Sequence, residues 1–207
     1  MLLIRGSLIL AVFGLGCAGP GPPDPTDKVG QASGGQGSQA GTLEVRPFMF
    51  TPIDQPTLLL HDGDPIELYA APQGGHVITA GAQVRGLDSD FIEIRGQVRD
   101  PETGLLVTEG VRTVVMAPVD GEPEWTETDR RSRSQMAHMA LCPRYEDKPI
   151  EGNPYELTIS VTELYADDST GSATVSIVPT CMQTDPSALA QCQCECEGGY
   201  ILGKCGQ

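Results

Sequence analysis

The sequence predicts an all-β domain, an antiparallel two-layer sandwich with a small disulfide-rich tail at its carboxyl end. Three observations carry this. Apolar residues recur every second position over many short segments, turn-forming residues separate those segments at close intervals, and no stretch carries a convincing amphipathic-helix pattern.

Residues 42–181 are long enough for one domain with its own core. The first expected strands are Ile66 to Ala70 and His76 to Arg85, separated by the turn Pro72-Gln73-Gly74-Gly75. FIEIRGQVR, Phe91 to Arg99, puts Ile92, Ile94 and Val98 on one face and Glu93, Arg95, Gln97 and Arg99 on the other, as a half-buried strand requires. DPETG then turns the chain into Leu105-Leu106-Val107, which reads as a hairpin. Val111 to Ala117 and Gln135 to Cys142 are the next strands, and EPEWTETDRR between them is too polar to place Trp125 in a core strand. The last unit is YELTISVTEL, Tyr155 to Leu164, with Tyr155, Leu157, Ile159 and Val161 in register. ADDSTG turns it back into Ser172 to Val178, where Ala173, Val175 and Ile177 share a face.

The closing pattern NPYELTISVTELYADDSTGSATVSIV resembles the final hairpin of immunoglobulin-like domains in bacterial envelope proteins. By that resemblance the whole domain is an immunoglobulin-like sandwich. It departs from antibody domains in having no Cys to Trp to Cys spacing.

The amino terminus supplies an address. One positive charge at Arg5 precedes the apolar run LILAVFGL, Leu8 to Leu15, which ends in Gly16-Cys17. This is signal-peptide anatomy, and the run falls short of the roughly 20 apolar residues a spanning helix needs. The cysteine after Gly16 resembles the lipobox of bacterial lipoproteins, although Gly14 stands three before it where that family usually has Leu. The resemblance implies cleavage after residue 16 and acylation of Cys17. Ala18 stands where an Asp would retain such a protein at the inner membrane, so the expected location is the outer membrane. Residues 17–41 then form the lipidated cysteine and a tether, its PGPPDP piece stiff and its later Gly, Ser and Gln piece flexible.

The formal net charge is −15, and loss of the leader removes one further positive charge with Arg5. Such a field repels phosphate, so no nucleic acid is expected as a partner. The expected partners are the membrane, through the lipid, and an envelope protein or glycan. The basic trio Arg130, Arg131 and Arg133 reads as a solvated loop.

Six cysteines follow Cys17: Cys142, Cys181, Cys192, Cys194, Cys196 and Cys205. An even number in an oxidising compartment predicts disulfides, and six allow 15 pairings. The simplest partition joins Cys142 to Cys181 within the sandwich and leaves the other four in the tail, residues 182–207. QCQCECEGGYILGKC resembles the end of an epidermal-growth-factor-like module, which implies Cys196 with Cys205. Four thiolates holding a soft metal is the rival reading, disfavoured because structural zinc prefers cysteine pairs two to four residues apart.

Other chemistry is weaker. His61, His76 and His138 have no nucleophile, base or second ligand near them in sequence. Asp62-Gly63-Asp64, Asp88-Ser89-Asp90 and Asp167-Asp168 fall at turns and would form a calcium site if two of them met at one end of the sandwich. The expectation is a non-enzymatic envelope binding or structural protein with no catalytic residues, no bound metal and no cofactor. The alternative is a metal-binding or hydrolytic envelope protein.

Overall fold

The computed structural model of the chain describes residues 42–51, 55–144, 146–165 and 169–205. Eleven strands, one 3-10 turn and one helix make up this region: β1 (Glu44–Met49), β2 (Leu58–Leu59), β3 (Asp64–Glu67), β4 (Tyr69–Ala70), β5 (His76–Arg85), β6 (Phe91–Arg99), β7 (Leu106–Val119), β8 (Glu122–Thr128), β9 (Ala137–Cys142), β10 (Tyr155–Glu163), β11 (Thr170–Thr180) and α1 (Pro186–Cys196). The fold is all-β, as expected, and its disulfides gather at the carboxyl end.

One layer runs β3-β11-β10-β6-β7 and the other β7-β8-β5-β1-β2, with β4 and β9 also paired to β5. β7 belongs to both. Leu106 to Val115 pairs with β6, and Met116 to Val119 pairs with β8. In the sequence this strand reads as two, Leu105-Leu106-Val107 and Val111 to Ala117, whereas the structure makes it one. Every strand pairing is antiparallel except β3 with β11, which is parallel.

The alternation read from the sequence sets the core. Ile92, Ile94 and Val98 of β6 and Leu157, Ile159 and Val161 of β10 are fully buried, with Val98 opposite Leu157 and Ile94 opposite Val161. Between these pairs lies a row containing two glycines, since Gly110 pairs with Gly96, which pairs in turn with Ile159. The missing side chains let β9 of the other layer come close. A Cβ at Gly96 would sit 2.3 Å from Met139 Sδ, and one at Gly110 would sit 1.9 Å from the backbone oxygen of His138. The methionine can yield, but the strand backbone cannot. Gly110→Ala is therefore expected to destabilise the domain by about 1–3 kcal/mol, more than Gly96→Ala, in denaturant unfolding of the two variants.

β5 is buried along nearly its whole length. Ile78, Ala80, Ala82 and Val84 face the central core. On its other face the Phe48 ring lies against Gly81, its partner across β1.

Several elements besides β7 correct the sequence reading: β1 and β2 were not expected, the single strand Ile66 to Ala70 is divided between β3 and β4 with different partners, and β8 and the tail differ in kind. Trp125 is 1% exposed and sits in β8, a full strand where a polar segment was expected. The tail contains a helix rather than a loop knot. Asp185 caps α1 by accepting from the Ala188 backbone N–H (2.9 Å), and Pro186 opens the first turn. Its inward stripe is Leu189, Cys192 and Cys196, three residues at helical spacing of which two are cysteines.

Candidate functional site

The outward face of the second layer carries a polar row. Arg46 of β1, Gln83 of β5, Glu127 of β8 and Ala117 of β7 are successive register partners, so their side chains share one face. Two of them are buried although polar, Gln83 at 4% and Glu127 at 9% exposure. Glu127 Oε2 accepts from Thr57 Oγ1 (3.0 Å) and Gln83 Nε2 (3.1 Å), and its Oε1 lies 3.5 Å from Arg130 Nε. Gln83 Oε1 has no hydrogen-bond partner among the described residues. A buried acceptor left unpaired costs on the order of 1–3 kcal/mol.

Gln83, Ala117 and Glu127 floor a groove of about 670 Å³, within the size range of small-ligand sites. Pro56 and Leu59 form one wall, and Pro118, Val119 and Asp120 form the other. The rim is charged. Asp129 receives Arg131 through both oxygens (2.7 and 2.9 Å), and this hydrogen bonding holds its carboxyl below the ordinary range. Arg130 also donates to the Gln55 carbonyl. Glu122 accepts from Arg46 (3.2 Å), whose guanidinium lies 3.6 Å over the Trp125 ring.

The arginine trio divides: Arg131 stays exposed on a turn, as a solvated loop would have it, whereas Arg130 and Arg133 are half-buried. Arg130 and Arg131 are tied into the groove, and Arg133 sits between the rings of Phe50 (4.1 Å) and Tyr69 (4.2 Å) while pairing with Glu67 (3.1 Å). Flanking aromatic faces suit a planar cation, which explains why an arginine near the surface is held inward.

The cysteines form a second cluster. The bonds are Cys142–Cys196, Cys181–Cys192 and Cys194–Cys205. The expected Cys142–Cys181 and Cys196–Cys205 pairs are both replaced, for one geometric reason. On a helix, residues 192 and 196 are one turn apart and face the sandwich together, whereas 194 points away and meets the chain returning from Gly198-Gly199. Beside the two inward bonds His76 Nδ1 donates to Glu195 Oε2 (2.9 Å), and Gln191 Nε2 donates to the other oxygen (3.0 Å). His76, Cys192 and Cys196 bring ligand-type atoms within 4.8 Å of one another. Both sulfurs are already bonded to other sulfurs, so the thiolate-metal reading has no free thiolates here.

The remaining candidates are dispersed. Asp62 Oδ1 accepts from the Ser176 N–H and Asp64 Oδ2 from the His61 N–H, both at 2.8 Å. Asp88 and Ser89 lie against Glu163, at the opposite end of β10 from Ser176 and its partner Glu156, so these two acidic loops share no site. His138 Nε2 donates to the Arg133 carbonyl (2.6 Å). Cys17, the tether, Asp167 and Asp168 lie outside the described residues.

No family model and no curated protein matches the chain. Among solved structures, the CooA pilin subunit from enterotoxigenic Escherichia coli is similar at 11% identity and a TM-score of 0.30, over 69% of this chain and 100% of that one.

Proposed function

We propose that the chain is an extracytoplasmic lipoprotein, anchored through Cys17 to the outer membrane, whose sandwich serves as a non-enzymatic binding module with the groove over Gln83 and Glu127 as its contact site. Cysteine pairing is the observation that carries this reading. The chain has seven cysteines, and the six among the described residues form three disulfides, which leaves Cys17 as the odd one. Oxidised pairs fit an oxidising compartment. An odd cysteine directly after a short apolar run fits a thiol destined for lipid. One acyl chain holds a protein to a bilayer only marginally, so stable attachment calls for two or more chains on that residue.

The test is Cys17→Ser in the full chain. The native chain is expected to incorporate an alkyne-labelled fatty acid and to sediment with membranes, while the variant incorporates none and partitions to the soluble fraction with its three disulfides formed. Equal labelling and equal sedimentation of the two chains would refute the anchor.

A further inference from the structure

We infer that the groove binds a basic polypeptide segment and seats an arginine side chain over Gln83 and Glu127, a specification of ligand class that rests on the groove being the contact site. Charge balance and the unpartnered acceptors of the lining carry this inference. Of the donors in the lining, the Thr57 hydroxyl and Gln83 Nε2 are committed to Glu127, Arg131 to Asp129, and Arg130 to Glu127 and the Gln55 carbonyl. Arg131 keeps N–H groups to spare at the exposed rim, but the groups with no partner at the floor and the wall are acceptors. Gln83 Oε1 is buried and unpartnered at the floor, and the exposed Asp120 carboxylate on the wall has no ion pair among the described residues. Glutamine oxygen and carboxylate only accept, so the complementary ligand brings donors and positive charge.

Guanidinium is the side-chain group that fits best, with five N–H donors in a planar fork and no acceptor. A sugar hydroxyl brings a donor but no charge to set against the Asp120 carboxylate. An anion would meet four carboxylates, Asp120, Glu122, Glu127 and Asp129, against two lining guanidiniums, Arg130 and Arg131, that already pair with Glu127 and Asp129. The groove also exceeds one side chain in volume and has apolar walls at Leu59, Pro118 and Val119, which suits flanking residues of an extended segment. The acidic charge of the whole chain favours encounter with such a partner.

Trp125 is the chain's single tryptophan, and the Arg46 above it pairs with Glu122 on the rim, so its fluorescence reports on this face. The probe is an acetylated, amidated hexapeptide of glycine and serine carrying two arginines. Its citrulline counterpart is nearly isosteric and neutral, and its glutamate counterpart reverses the charge. The full chain is expected to bind the arginine peptide saturably and the citrulline peptide about tenfold more weakly, since charge-assisted hydrogen bonds are lost. Asp120→Ser and Gln83→Met should each weaken the arginine peptide about three- to tenfold without changing the circular dichroism spectrum.

Equal affinity for arginine and citrulline peptides, or affinity unmoved by both substitutions, overturns the arginine site. Binding of the glutamate peptide or of a chito-oligosaccharide, weakened by the same two substitutions, overturns the ligand class while the groove stands as the contact site. If peptides and oligosaccharide all fail to bind in a manner sensitive to the variants, the ligand class and the groove reading fall together.

Discussion

Replacing Cys142 and Cys196 together by alanine is expected to lower the unfolding free energy by about 4 kcal/mol, in denaturant titrations of the variant beside the native chain. The two residues are 54 apart in sequence, the widest separation among the three bridges, so this bond restrains the unfolded chain most. It also ties α1 to the end of β9. Cys181–Cys192 spans 11 residues, and the same chain-entropy reasoning gives about 3 kcal/mol for its removal. Cys194–Cys205 spans 11 as well, but it closes a largely exposed terminal turn instead of joining the helix to the sandwich. The expected order of loss is therefore 142/196 first and 194/205 last. A 194/205 variant that proves the least stable of the three would mean that the terminal turn, and not the helix clamp, holds this end together.

Trp125→Ala is expected to cost about 3–5 kcal/mol, measured by far-ultraviolet circular dichroism because the substitution removes the fluorophore. The ring is 1% exposed yet lies outside the central core, on the outward face of β8 beneath two guanidiniums, Arg46 at 3.6 Å and Arg85 at 5.1 Å. Truncation loses the ring's own burial and strips both arginines of the surface they lie on. Trp125→Phe keeps a π face and most of the packing, and should recover more than half of the loss. If alanine costs less than about 1 kcal/mol, the arginines fill the space unaided and the ring is only a spectator.

The sandwich was legible where one face is wet, as in β6 and β10, and also in β5, buried on both faces, where a run of apolar and small residues lies between turn residues. β5 and β6 have the bounds read from the sequence, and the β10–β11 hairpin pairs as expected from Tyr155 opposite Ile177 to Val161 opposite Gly171. β8 was illegible because its buried side chains are Trp125, Glu127 and Thr128, with two guanidiniums over the ring, in place of an alternating apolar face. Its polar letters therefore looked like a loop. α1 was hidden for a related reason. Cysteines read as crosslinks rather than as apolar residues conceal the stripe made by Leu189, Cys192 and Cys196, although Asp185-Pro186 already carried a start signal. Without the helix, the rotation that separates residue 194 from 192 and 196 was invisible, and so was the bridge pattern.

The groove was the least legible part. Gln83 and Glu127 are far apart in sequence and meet only through strand register. One trace was present, a glutamine inside the otherwise apolar and small run HVITAGAQV. A polar side chain embedded in a strand with no break around it marks either a satisfied network or a waiting acceptor, and only the partner strand tells which.

The passage of β7 from one layer to the other gives this domain an unusual economy of parts. A sandwich whose sheets are joined only by loops can part along its apolar seam, with backbone hydrogen bonds intact on either side. Here any such parting must shear a continuous strand whose two halves are laddered to different neighbours. A groove built on the outside of one sheet is thereby braced by the other, and its floor shares the rigidity of a core it does not touch.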